Sequence, residues 1–246
     1  MNRFSYKNVY GTEKHKEFMD SHNYVIDDKF FYQTGIWELS DGFLVEYTIY
    51  SDDGRTENYS YTKAVATKAI LRNAGKKVYE YYCFNSYAYG FKDIIRHKNG
   101  HRYYPFHVDM YGISFLDVDT LEVYNYIPDG YKHNDDRMCG ESFLIYNVHY
   151  DIKSNLIAYY GIYLGMVYDV MVGDFSDPLN FNPYLVSFND ALDNKYDVYY
   201  DELGFKEWKN NRLYVSCYDG HDYIEESLSS EELRNMIDEL TERKNL

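Results

Sequence analysis

Short runs of β-branched, aromatic and alternating apolar residues occupy most of the chain, separated by Asp-Gly, Asn-Gly and Asp-rich turns. Residues 43–50 (Phe-Leu-Val-Glu-Tyr-Thr-Ile-Tyr) suit a pleated, half-buried surface, and Asp53-Gly54 turns the chain back into residues 56–61. Residues 77–84 and 87–91 keep strand character, and residues 94–104 read as a hairpin folded at Asn99-Gly100. Ile113, Phe115 and Leu116 lead into Asp117 and Asp119, whose carboxylates can accept backbone amides two residues on and so close a turn. Leu121, Val123 and Ile127 then resume the strand.

Strands follow at 143–150, 156–160 and 168–174, and a last hairpin joins 213–217 to 223–224 across Asp219-Gly220. Ser229 and Glu232 have the spacing of a capping box, and Leu233, Ile237 and Leu240 lie on one helical face. A C-terminal helix is therefore expected over 229–243. Residues 62–75 break the strand pattern. They are rich in Ala, Lys and Arg, with Thr62 able to cap and Gly75 to stop, and read as a short helix or a long loop. The acidic stretch 185–203 holds at most one helical turn, at 188–192.

Two segments share one pattern of strand, Asp and tight turn: Gly112-Ile-Ser-Phe-Leu-Asp-Val-Asp-Thr-Leu-Glu-Val123, and Asn155-Leu-Ile-Ala-Tyr-Tyr-Gly161 with Tyr168-Asp-Val-Met-Val-Gly-Asp-Phe175. Over about residues 105–183 this resembles the blades of β-propellers of the WD-repeat-like kind. The resemblance implies a small or degenerate propeller-like arrangement. An ordinary antiparallel meander with Asp turns accounts for the same residues. The expected fold is thus mostly β, built of antiparallel hairpins and closed by a C-terminal helix, with a β-sandwich or an α+β fold as alternatives. It is read as one domain over residues 1–246.

Composition sharpens this picture in two ways. The chain has 32 Tyr, 14 Phe and 2 Trp, and Tyr can line a core or a wet surface equally well. Its formal net charge is −15, which repels nucleic acid and favours basic partners. The charge is uneven: residues 55–104 carry ten Lys/Arg against three acids, a net +7, and the remainder is −22. Cys83, Cys139 and Cys217 are widely spaced, odd in number and form no C-x-x-C pair, as expected of reduced thiols in a cytoplasmic protein. The first ten residues lack the apolar core of a signal peptide, and no apolar run is long enough to span a membrane.

Chemistry is sparsely marked. No phosphate-binding Gly loop, nucleophile elbow or cysteine-protease signature occurs. His107-Val-Asp109 and His149-Tyr-Asp151 place His and Asp on the same side of a strand, so two such strands side by side would offer four metal ligands and a metal-dependent hydrolase. The plainer reading makes them residues at strand ends. Lys63, Lys68, Arg72, Lys76 and Lys77 form a basic series, and Arg96, Lys98 and Arg102 are followed by Tyr103 and Tyr104. Cations interleaved with aromatics can hold an anionic, nucleotide-like ligand by charge and stacking. The alternative is that these cations neutralise the acidic remainder.

Three functions stay open. The first is a non-enzymatic acidic protein that covers a basic protein partner, in the manner of proteins that neutralise toxins or nucleic-acid enzymes; this rests on analogy. The second is a binder of a small anionic ligand through residues 55–104, and the third is the hydrolase. No cofactor is implied, direct nucleic-acid binding and membrane insertion are not expected, and self-association into a homo-oligomer stays open.

Overall fold

The structure is a computed structural model that describes residues 6–8, 12–13, 16–17, 20, 23–52, 64–84, 91–108, 113–128, 143–163, 168–180, 184–192, 203–218 and 220–242. The chain is mostly β, with four antiparallel sheets and a C-terminal helix. It divides into two compact units. The N-terminal unit comprises Asn8–Ile95 and His101–Tyr126, and the C-terminal unit Met1–Lys7, Arg96–Gly100 and Ile127–Leu246.

The short strand β1 (Tyr6–Asn8) comes first. In the N-terminal unit β2 (Phe31–Glu38), β3 (Phe43–Asp52), β4 (Ala64–Asn73) and β5 (Lys76–Phe84) form a four-stranded meander. A second sheet is built from β6 (Ile95–Arg96), β7 (Arg102–Phe106), β8 (Ile113–Asp117) and β9 (Val123–Pro128), in the order β1-β9-β8-β7-β6, and the division between the units runs through β1, β6 and β9.

Strand β4 replaces the helix or loop expected at 62–75. Its pairing with β3 is continuous, from Phe43 opposite Asn73 to Asp52 opposite Ala64. Thr67, Ala69 and Leu71 are buried on one side, while Lys68, Ile70 and Arg72 are partly exposed on the other. This period of two supports a strand, and cross-strand packing overrides the helical preference of Ala, Lys and Arg. Gly75 does end an element: Ala74 (φ 46°) and Gly75 (φ 76°) make the left-handed turn into β5. Asp53 and Gly54 lie outside the described residues.

The buried faces of the two sheets meet in one core. Phe43, Val45, Ala69, Leu71 and Tyr81 from the meander pack with Tyr104, Phe106, Leu116 and Val123. The Tyr81 and Tyr104 hydroxyls, 2.8 Å apart, satisfy each other inside it. The Asp117 turn forms as expected. Asp117 Oδ1 accepts the N–H groups of Asp119 (2.9 Å) and Thr120 (3.1 Å), and Leu121 takes the left-handed conformation that brings the chain into β9.

In the C-terminal unit β10 (Phe143–Asp151), β11 (Leu156–Tyr163), β12 (Tyr168–Asp174) and β13 (Val186–Ser187) make a four-stranded sheet, followed by the single-turn helix α1 (Phe188–Ala191). A three-stranded sheet of β14 (Gly204–Lys209), β15 (Arg212–Tyr218) and β16 (Tyr223–Ser229) leads into helix α2 (Ser230–Glu242). Ala158, Val170 and Val172 share a core with Leu213, Val215 and Cys217, and α2 adds Leu233 and Ile237. Residues 105–183, the blade-like stretch, are divided between the two units and between two sheets. Within each unit, residues of two sheets share one apolar core.

Two buried or capped sites fix the helices. Asp169, nearly fully buried, accepts from the Ser187 hydroxyl (2.5 Å), the Val170 amide (2.7 Å) and the Asn189 amide (3.3 Å), tying β12 to the start of α1. At α2, the Glu232 carboxylate accepts the Ser229 N–H (2.7 Å) and the Ser229 hydroxyl oxygen accepts the Glu232 N–H (3.2 Å), the reciprocal pattern of a capping box. Ser229→Ala is expected to lower stability by about 1 kcal/mol in urea titration, with an unchanged dependence on denaturant concentration.

Candidate functional site

The outward face of the β2–β5 meander collects part of the basic series. Residues directly opposite one another in paired strands share a face. One row across the sheet is therefore Thr34, Thr48, Lys68 and Tyr82, and the next is Ile36, Glu46, Ile70 and Glu80. Between them opens a cavity of about 530 Å³ lined by Thr34, Gly35, Ile36, Glu46, Thr48, Tyr50, Lys68 and Ile70. Tyr50, which lines it, also packs with an apolar cluster of Val25, Ile26, Ala66, Phe84 and Tyr82. Gly35 has a steric role beside the cavity: a Cβ there would lie 2.5 Å from the Tyr47 hydroxyl oxygen.

The cations on this face are matched by carboxylates. Lys68 and Lys77 lie 3.4 and 2.7 Å from Glu80, and Arg72 lies 2.6 Å from Glu46. The Tyr82 hydroxyl also donates to Glu80 (3.0 Å). The hydrogen bond from Lys77 holds the Glu80 carboxyl below its usual range, against the opposing effect of partial burial. The face is thus polar and aromatic, with its three cations sharing two carboxylates.

The other residues of the series are placed differently. Lys63 lies outside the described residues. Lys76 is exposed at the β4–β5 turn, and Arg96 and Lys98 are exposed on and after β6. The Lys98 N–H donates to the Tyr150 hydroxyl (3.2 Å). Arg102 is bonded to Asp119 at 2.5 Å and lies over the Phe43 ring, 5.5 Å from its centre. Tyr103 and Tyr104 are buried, so their rings pack in the core and present no stacking surface to solvent.

Of the two His-x-Asp pairs, Asp109 lies outside the described residues. His107 is buried against Phe91, with ring centres 4.7 Å apart. The His149 ring is stacked on Phe205 at 3.5 Å, and its burial pushes the imidazole pKa down to about 4. Asp151 shapes the β10–β11 turn, accepting the Ser154 N–H (3.1 Å) and hydroxyl (2.6 Å). Among the described residues no cluster of three or more His, Cys, Asp or Glu side chains has a geometry able to hold a metal.

One polar pair escaped the sequence reading. His101 Nδ1 lies 2.6 Å from Asp117 Oδ2, and this hydrogen bond raises the imidazole pKa. Asp117 is buried while the His101 side chain is partly exposed. The signal was present in the Asp117 turn motif, but only the pairing of β7 with β8 shows which imidazole comes within its reach. The pair fixes a turn; its carboxylate is fully occupied by His101 and by backbone amides.

No known family model and no curated protein matches this chain.

Proposed function

We propose that this protein acts without catalysis, by laying an acidic, tyrosine-rich surface against a basic protein partner. The observation that carries this reading is the pairing of several cations of the basic segment with carboxylates. Lys68, Arg72, Lys77 and Arg102 each face a carboxylate in their own unit. The chain nevertheless has fifteen more Asp and Glu than Lys and Arg, so its surplus charge remains negative whatever the pairing. Such a surface steers a basic partner and selects against acidic ones. A small anionic ligand in the cavity would have to displace Glu80 from Lys68, which is why contact with a protein is the preferred reading.

The test is affinity capture followed by stopped-flow kinetics with the purified partner. Association is expected to slow by at least about tenfold between low and physiological ionic strength, as steering is screened beyond a Debye length of about 8–10 Å. The variant Lys68→Gln/Arg72→Gln/Lys76→Gln, which removes three positive charges, should not slow this association. Association independent of salt would overturn the proposal. Binding of ATP by the parent chain that the triple variant loses would favour the small-ligand reading.

A further inference from the structure

We infer that β2 is a docking edge that accepts an extended, basic-flanked segment of the partner as an added antiparallel strand; this rests on the reading above and names where the contact is made. An edge strand directs every second backbone N–H and C=O away from its sheet, and proteins commonly protect such edges with charge, bulges or covering groups. Three of the other described edges have this protection. β5 carries Lys76, Lys77 and Glu80, and β14 carries Lys206, Glu207 and Lys209. β10 is interrupted by a bulge at Tyr146, and its His149 carbonyl accepts a hydrogen bond from the Trp208 indole (3.2 Å).

β2 has little of this. A bulge at Tyr32 disturbs its first residues, but Gln33 to Glu38 pair with β3 in regular register. Those six residues contain no Pro, no Lys and one charge, Glu38, at the end. Ile36 is 65% exposed and Tyr32 61% exposed. The 530 Å³ cavity begins at Thr34, Gly35 and Ile36, so a side chain from an added strand has a concave surface to enter.

Charge selects the occupant. In sequence the strand is preceded by Asp28 and ends at Glu38. The one intervening cation, Lys29, is paired with Asp27 at 3.4 Å. An antiparallel strand with Lys or Arg at both ends meets carboxylates at both ends, whereas a second copy of β2 would bring carboxylate to carboxylate. Backbone pairing supplies the affinity and the alternate side chains the selectivity.

The probe is a short, fluorescently labelled peptide of alternating Thr and Val with Lys-Arg at each end, titrated into the full-length protein and read by anisotropy. Saturable binding is expected. N-methylation of alternate peptide amides should weaken it by at least about tenfold, and Ile36→Lys in the protein should do the same. A peptide with Glu-Glu ends should not bind. Position 36 is exposed enough for Lys to be accommodated, and an unchanged circular dichroism spectrum checks this. Absence of binding, indifference to N-methylation, or full binding by Ile36→Lys would each overturn the inference. A parent dimer in sedimentation that Ile36→Lys dissociates would also overturn it, by showing a second copy on the edge. Salt-dependent capture of a basic protein equally by parent and Ile36→Lys would remove the docking strand and leave the acidic-contact reading standing.

Discussion

Gly161→Ala is expected to destabilise the C-terminal unit by about 3 kcal/mol or more, measured as a fall in the urea midpoint. Gly161 sits in β11 opposite Ile145, beside the bulge that sets Tyr146 apart from the ladder. A Cβ at this position would lie 2.1 Å from the Leu144 carbonyl oxygen and 2.8 Å from the Phe143 ring. The first of these atoms is backbone and the second belongs to a fully buried side chain, so neither can swing aside. Overpacking in a dense interior costs about 1–3 kcal/mol even when side chains can adjust, and here the strand itself must shift. Gly35→Ala makes the comparison. Its nearest contact is the far end of Tyr47, a side chain only partly buried, so its cost should be clearly smaller. Equal effects at the two sites would refute this account of Gly161.

Acid should cost the fold about 3 kcal/mol between pH 6.5 and pH 4 through His149 alone. Burial beside Phe205 lowers its folded-state pKa to about 4, against an ordinary value of 6.5. In that window the unfolded chain binds a proton that the folded one does not, so stability is complete above pH 6.5 and declines as the pH falls toward 4. Each pH unit of separation corresponds to about 1.4 kcal/mol. His101 acts in the opposite direction. Its raised pKa gives a contribution that is present below pH 6.5 and is lost as the pH rises through the raised value. His149→Phe keeps an aromatic ring against Phe205 without a titrating group. Urea denaturation at pH 7 and pH 4.5 should show a smaller difference for this variant than for the parent. An undiminished difference would show that other groups dominate the acid response.

Local chemistry made much of this fold legible. The Asn99-Gly100 turn, the Asp117 turn and the Ser229–Glu232 box each act within a few residues, and each is present as read. The failures are of two kinds. Strand β4 was obscured because its Ala, Lys and Arg favour a helix locally, and only its partners β3 and β5 hold it extended. The β14–β15 hairpin turns on Asn210-Asn211, both in the left-handed region at φ 52° and 58°, where the usual second residue is Gly. The candidate site was legible in its cations and illegible in its carboxylates. Nothing in the spacing of Glu46 and Glu80 shows that they stand across strands from Arg72 and Lys68. The division of residues 105–183 between two sheets is likewise a property of long-range packing.

The bulges have a bearing on how such a chain can change over generations. At Tyr32, Val78, Tyr146 and Lys206 one residue stands outside the two-by-two count of its ladder. Elsewhere in a strand, gaining or losing one residue exchanges inside for outside along everything that follows. At a bulge the ladder has already absorbed that half-step. Among the described strand pairs, these four positions are therefore the points where a change of length by a single codon does least harm, and where an alignment of distant descendants would have to place its gaps.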